Sequence, residues 1–278
     1  MTTTTSPSLP RTLDAADVPP VPLRRLVAVE RRKLVDTRAG RWLLVGTFGL
    51  LVVVMVVLLL LSATTSPTLS ADLLAQVLVV PVSLLVPALA ILTVTSEWGQ
   101  RTHLVTFTLE PVRWRVVVAK LVVVAALGAA TIVAAVAVGA ATNALHGVIS
   151  DSAAVWDLSA GRVGWTVAVQ ALWFLMAFGF GMLLLNTPAA VTVFYVVGLI
   201  VPAVVHPLLY ALVDGADRVL PWVDLTAASM PYLTGTDVAG RAVELGGTTA
   251  AQLAVTTGAW VLLPLALGTW RVLRAEVR

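Results

Sequence analysis

The chain has 278 residues, 59% of them hydrophobic and 12% charged, with a mean hydropathy of +0.95, a balance that excludes a soluble globular domain. It contains 18 Lys and Arg, 15 Asp and Glu and no cysteine, which removes disulfides, thiol catalysis and thiolate metal sites. The basic balance reflects how cations distribute about a membrane, and no nucleic-acid partner is expected.

Six apolar stretches are long enough for a hydrocarbon core of about 30 Å, which needs about 20 helical residues. They cover approximately 42–61, 73–94, 116–141, 165–185, 189–213 and 250–270 and predict an all-α polytopic membrane protein with six transmembrane helices. Basic residues next to spans are retained on the cytoplasmic side. With the N-terminus inside, fifteen Lys and Arg fall on inner segments and only Arg162, Arg218 and Arg241 on outer ones. Both termini are therefore expected in the cytoplasm and the chain in the plasma membrane.

Residues 1–20, MTTTTSPSLPRTLDAADVPP, have too little apolar surface to fold and read as a disordered cytoplasmic tail. They are not a signal peptide, because the first apolar run begins only at Trp42. Residues 21–41 place Leu23, Leu26, Val27, Leu34 and Val35 at helical spacing, which predicts an amphipathic helix on the inner membrane surface with its arginines toward lipid phosphates. Glu30 interrupts the apolar side. Either it takes a basic partner from afar, Arg101 or Arg113, or it pairs with nearby Lys33 or with solvent.

The first span is almost uniformly Val and Leu. The second contains Pro81 and Pro87, with Gln76 and Ser83 on one face. Two readings stand for that face: a flexed helix lining a path, or a kink whose polar groups bond across helices. A polar island follows, Thr95 to Lys120, TSEWGQRTHLVTFTLEPVRWRVVVAK, with a cytoplasmic loop over 95–115. Glu97 leaves the second span, Trp98 sits at the interface and Gly99 lets the chain turn. Arg101 to Leu109 can form a short helix despite the β-branched Val105, Thr106 and Thr108. Pro111 suits the first turn of the next helix, and Arg113, Arg115 and Lys120 mark the cytoplasmic end of the third span, Lys120 snorkelling to the headgroups.

Ala135 and Gly139 let another helix approach the third span closely. The outer loop from Thr142 to Gly164 carries Asp151 and Asp157, with Trp156 and Trp165 near the outer interface. His103, His146 and His206 have no ligand spacing, so no metal is expected. Spans four and five are joined by Asn186, Thr187 and Pro188 as a tight hairpin, and Gln170, Trp173 and Tyr195 read equally as pathway or packing residues. Residues 214–249 are external, with anchors such as Trp222 and Tyr232 broken by Pro221 and Pro231. They form either helices dipping into the outer leaflet or a plain folded loop. Arg271, Arg274 and Arg278 hold the end of span six inside.

Three features together resemble the permease subunits of type-2 ABC exporters, particularly actinobacterial ones. They are Val29-Glu30-Arg31-Arg32-Lys33 before the first span, Thr95-Ser96-Glu97-Trp98-Gly99-Gln100-Arg101-Thr102 at the end of a bent second span, and Leu109-Glu110-Pro111-Val112-Arg113 after it. The likeness covers residues 21–278 in layout and is most specific across 96–120. It implies a connecting helix at the N-terminus, with Glu30 and Lys33 as contacts, and a coupling helix that docks on a P-loop ATPase through Glu97, Trp98, Gly99, Gln100, Arg101, Thr102, His103, Val105 and Phe107. It also implies a second permease subunit, a substrate route lined by the second and fifth spans, and a re-entrant external lid; the residues themselves offer Gln76 and Ser83 of the second span, Trp173 of the fourth and Tyr195 of the fifth as possible path residues.

No Asp, Glu, Arg or Lys is expected deep in a span, so gradient-driven transport is disfavoured. The chain lacks GxxxxGK[ST], and no nucleophile–base pair is suggested by spacing. It is not expected to be an enzyme or to carry a cofactor, ATP and Mg²⁺ belonging to the partner. The resulting expectation is export of a hydrophobic or amphipathic substrate by alternating access. The competing class is a membrane-embedded scaffold that holds a cytoplasmic partner without transport.

Overall fold

The structure, a computed structural model, describes residues 21–65, 70–110, 112–149 and 154–275. The expected tail over 1–20, together with Pro111, Asp151 and Arg278, lies outside the described residues. The chain is nearly all helical, and the extended pairings among the described residues are two isolated bridges, Ser70–Val155 and Thr236–Ala242.

A 14-residue helix, α1 (Leu23–Asp36), leads into α2 (Arg38–Thr65). The single helix expected over 21–41 is broken at Thr37, whose backbone is extended. The Thr37 hydroxyl donates to the Leu34 carbonyl at 3.2 Å and accepts from the Gly40 N–H at 3.1 Å. A Cβ on Gly40 would lie 1.9 Å from the Leu34 carbonyl oxygen, so glycine is needed for the chain to turn this tightly.

Then come α3 (Ala71–Gly99), the short α4 (His103–Leu109), α5 (Arg113–Ile149) and α6 (Ala160–Leu184). The fifth span is α7 (Thr187–Tyr195), a wide-turn π segment π1 (Val196–Val205) and α8 (His206–Leu212). Two short helices, α9 (Ala216–Val223) and α10 (Leu225–Thr234), precede the sixth span, made of α11 (Gly247–Thr257), π2 (Gly258–Leu262) and α12 (Leu263–Arg274).

Among the described residues, six helices are long and apolar enough to cross a membrane: Arg38–Ser62, Ala71–Gly99, Arg113–Ile149, Ala160–Leu184, Thr187–Leu212 and Gly247–Arg274. Each outruns its apolar window at one or both ends, because the hydrogen-bond ladder continues past the last apolar residue. The 37 residues of α5 span about 55 Å at about 1.5 Å per residue, well beyond a hydrocarbon core of about 30 Å.

Helices α3 and α6 form the centre. The former packs on α5, α6 and α2, the latter on α12, around Leu78, Val82, Val86, Phe178 and Met182. Close approach relies on small residues. Gly139 of α5 faces Ala75 and Leu78 of α3, as its spacing suggested, while a Cβ on Gly268 of α12 would meet Met182 Cβ at 2.7 Å and Leu183 N at 2.8 Å. Outward faces of α2, π1 and α12 expose Val, Leu and Trp, as a lipid-facing surface does.

The fifth and sixth spans are not the uniform helices their apolar windows predict. Within π1 lies Pro202, and Pro207 follows; the His206 N–H reaches back five residues to the Val201 carbonyl. Pro264 comes two residues after π2. A proline offers no N–H and crowds the carbonyl four residues before it, a conflict that a widened turn relieves. Spans four and five meet through Leu185, in left-handed conformation, and Asn186, whose side chain accepts from the Ala189 N–H at 3.0 Å. Thr187 and Pro188, read as linker, are already helical.

Candidate functional site

The charge pattern of α1 gives its burial an unusual centre. Four arginines, Arg24, Arg25, Arg31 and Arg32, are exposed, while Glu30 is only 4% exposed and lies against α3 and α5. A carboxylate so far from water requires compensating charge. Two lysines provide it. Lys33 Nζ donates to Glu30 Oε1 and Glu97 Oε1, both at 2.7 Å, while Lys120 Nζ reaches Glu30 Oε2 at 2.6 Å and Glu97 Oε1 at 3.0 Å. The four side chains form a closed, neutral ring in which each ammonium bridges both carboxylates. It joins α1, the last turn of α3 and the second turn of α5.

The sequence placed Glu97 beyond the second span and expected Lys120 to snorkel; both expectations fail. The α3 helix runs through Glu97 to Gly99, and the Lys120 side chain is 8% exposed, with a third bond to the Thr93 carbonyl at 3.0 Å. Burial therefore extends to a lysine inside a span, although about 10 Å at most from the start of α5. Of the partners considered for Glu30, the local Lys33 is present, whereas Arg113 is bonded to carbonyls at the end of α12 and Arg101 is exposed. Lys33 is half-buried. Burial alone lowers its affinity for the proton, but hydrogen bonds and charge from Glu30 and Glu97 outweigh that and hold the ammonium above its ordinary range.

Between α3 and α5 the chain turns through Arg101, in left-handed conformation with φ +56°, and not through Gly99, which needs no special conformation. The following helix, α4, hangs from the ring by an aromatic stack. The His103 ring lies on Trp98 at 4.2 Å between centroids, Phe107 is edge-on to both at 6.4 Å, and the Arg113 guanidinium sits 4.9 Å over Phe107. Arg113 also donates to the Val272, Leu273 and Ala275 carbonyls at the end of α12. Arg115 binds Glu110 at 3.0 Å and the Val21 carbonyl.

The nine coupling residues thus separate into two groups. Glu97, Trp98, His103 and Phe107 face inward and support the helix; Gly99, Gln100, Arg101, Thr102 and Val105 are exposed. Leu109, at the end of the same short helix, is 77% exposed one turn beyond Val105. With Leu26 and Val29 of α1, these two line a cavity of about 750 Å³ that also borders Glu30, Lys33 and Lys120.

The candidate path residues are engaged in packing. Gln76 Nε2 donates to Asp72 at 2.9 Å, Gln170 Nε2 to the Ser83 hydroxyl at 2.6 Å, and Ser83 itself to the Val79 carbonyl at 3.0 Å. The Tyr195 hydroxyl donates to the Leu84 carbonyl, and Trp173 lies edge-on to Phe194 and against Gly198. Of the two readings for Gln76 and Ser83, these contacts match bonding within and across helices.

At the opposite end, Asp72 in the first turn of α3 accepts from Gln76 and Arg162, and its backbone N–H donates to Asp157 at 2.9 Å. These bonds tie Asp157 and the first turn of α6 to α3. The bond from Asp72 is the first cause holding the exposed Asp157 carboxyl below its usual range. The α9–α10 segment folds back on the spans, with Trp165 against Tyr232 at 4.3 Å and Trp260 Nε1 donating to the Val223 carbonyl at 2.6 Å.

Fold and site together define a multi-pass helical membrane protein with a buried ring of charge at its basic end. No protein-family model, curated protein or solved structure matches the chain.

Proposed function

We propose that this chain is the membrane subunit of an ATP-driven exporter of the type-2 ABC kind, moving a hydrophobic or amphipathic substrate by alternating access. The observation that carries the reading is the Glu30–Lys33–Glu97–Lys120 ring: it makes α1, α3 and α5 one mechanical unit at a single end of the bundle, with α4 attached and its Val105–Leu109 edge bare. A separate P-loop ATPase docks on that edge, and its ATP and Mg²⁺ remain in the partner. Force applied to α4 passes through Trp98, Phe107 and the ring into α3 and α5.

The basic end, which carries the ring and the exposed arginines of α1, is cytoplasmic, both termini included, and the membrane is the plasma membrane. Glu97 to Phe107 form the coupling element, Glu30 and Lys33 the connecting-helix contacts. A second permease subunit, identical or related, completes the route beside the second and fifth spans. The α9–α10 segment covers the outer side.

The test is affinity purification from native membranes in mild detergent. The reading expects a co-purifying polypeptide with a GxxxxGK[ST] sequence and vanadate-sensitive ATP hydrolysis that is lost when Val105 and Leu109 are both changed to Asp. A purified complex without a P-loop protein, or with hydrolysis unaffected by that change, would overturn it.

A further inference from the structure

His206 stands where π1 gives way to α8, 2% exposed, and its Nδ1 has no hydrogen-bond partner among the described residues. Asp224 Oδ1 lies 3.8 Å away, too far for a hydrogen bond. Asp224 is the N-cap of α10, Oδ1 accepting from the Ala227 N–H at 2.8 Å. Burial, its largest influence, holds this carboxyl above its usual range against the opposing pull of the Ala227 N–H and of His206. A buried imidazole nitrogen without a partner thus faces a buried carboxylate across a gap about 1 Å too wide, at the junction of span five and the α9–α10 segment.

We propose that His206 and Asp224 form a proton-binding site that latches the α9–α10 segment onto the fifth span. An unprotonated Nδ1 presents a lone pair to a carboxylate, and neither atom can donate. A proton taken up from solvent at Nδ1 makes that atom a donor and converts the contact into a charge-assisted hydrogen bond. The wide turns of π1 supply the short movement that closes the gap. The Asp224 side chain keeps its cap on α10.

Other ionisable groups around this junction are paired with one another or exposed. Arg241, from the loop after α10, pairs with Asp217 of α9 at 2.8 Å and with Asp237 at 2.7 Å. Arg218 on α9 and Asp214 before it are exposed. Tyr210, one turn along α8 from His206, is within range of Asp237, Asp217, Asp224 and Arg241. Protonation of the imidazole closes the latch, and loss of that proton releases it.

The absence of cysteine in the sequence permits a direct test on the full chain in detergent micelles, where both ends share one pH. Ser229→Cys places a thiol on the buried face of α10, and Val219→Cys on the exposed face of α9 reports intrinsic thiol reactivity. The ratio of maleimide labelling rates, buried to exposed, is expected to fall about tenfold from pH 8 to pH 5.5, the change a single charged hydrogen bond produces. His206→Gln or Asp224→Asn, the latter retaining a capping side chain, should leave the ratio independent of pH. A flat ratio in the parent protein, or an unchanged pH profile in either variant, overturns the proposal. Neither outcome bears on whether an ATPase drives the protein.

Discussion

Replacing Lys120 with methionine preserves the length of the stem and removes one cation from the ring. Glu30 and Glu97 then share Lys33 alone, and the Thr93 carbonyl loses its donor. Breaking a buried ion pair by deleting one partner costs about 3 kcal/mol, most of it from the charge left behind. Lys33→Met removes an ammonium bonded to the same two carboxylates, but its side chain is 40% exposed and water screens what remains, so about 1 kcal/mol is expected. At roughly 2–4 °C per kcal/mol for a chain of this size, Lys120→Met lowers the thermal midpoint in detergent by roughly 6–12 °C and Lys33→Met by roughly 2–4 °C. Adding Glu30→Gln to Lys120→Met should cost less than the sum of the two single changes, because they share one network. Equal shifts for the two lysines, or strict additivity in the double variant, would refute the argument that burial sets the value of these bonds.

Gly268→Leu should separate α12 from α6, because even a Cβ there meets Met182 and the Leu183 backbone; loss of monodisperse protein on size-exclusion chromatography reads this, with Gly49→Leu, where nothing lies within 4 Å, as the tolerated control. Since Lys33 binds its proton more tightly in the folded chain than in the unfolded one, its contribution is complete below about pH 10 and lost as pH rises through its elevated value. Thermal midpoints should therefore fall more steeply above about pH 10 in the parent than in Lys33→Met. Arg241 joins Asp217 and Asp237 on the exposed surface, and its hydrogen bond is the first cause holding the Asp217 carboxyl low; that contribution is present above about pH 4 and fades below it, so Arg241→Gln should flatten the acid limb of the stability profile.

The spans were legible because roughly 20 consecutive apolar residues admit few alternatives. Glu30 was legible too, as a carboxylate on the apolar face of α1. Its second partner was not. Lys120 is 90 residues away in the chain, and only the packing of α1 on α5 brings them together; a lysine near a helix end reads in isolation as a snorkelling side chain. For the turn after α3 the choice fell on Gly99 because glycine adopts positive φ most easily, yet the hydrogen-bonded turn places that conformation at Arg101. The π segments escaped because a wide turn barely alters an unbroken run of Val, Ile and Leu. Pro202, Pro207 and Pro264 were the visible signal. For the His206–Asp224 contact no signal existed, since spacing of 18 residues across a turn matches no helix or ligand pattern.

Whether force enters from outside the chain at the α4 edge is tested most directly by a photo-crosslinker at Leu109. In intact cells it should capture a polypeptide that mass spectrometry identifies by a GxxxxGK[ST] sequence, with yield that changes when ATP is depleted, while the same crosslinker at Trp156 captures no such protein. A crosslinker at Leu109 that captures only lipid, or a P-loop protein captured equally from Trp156, would contradict it.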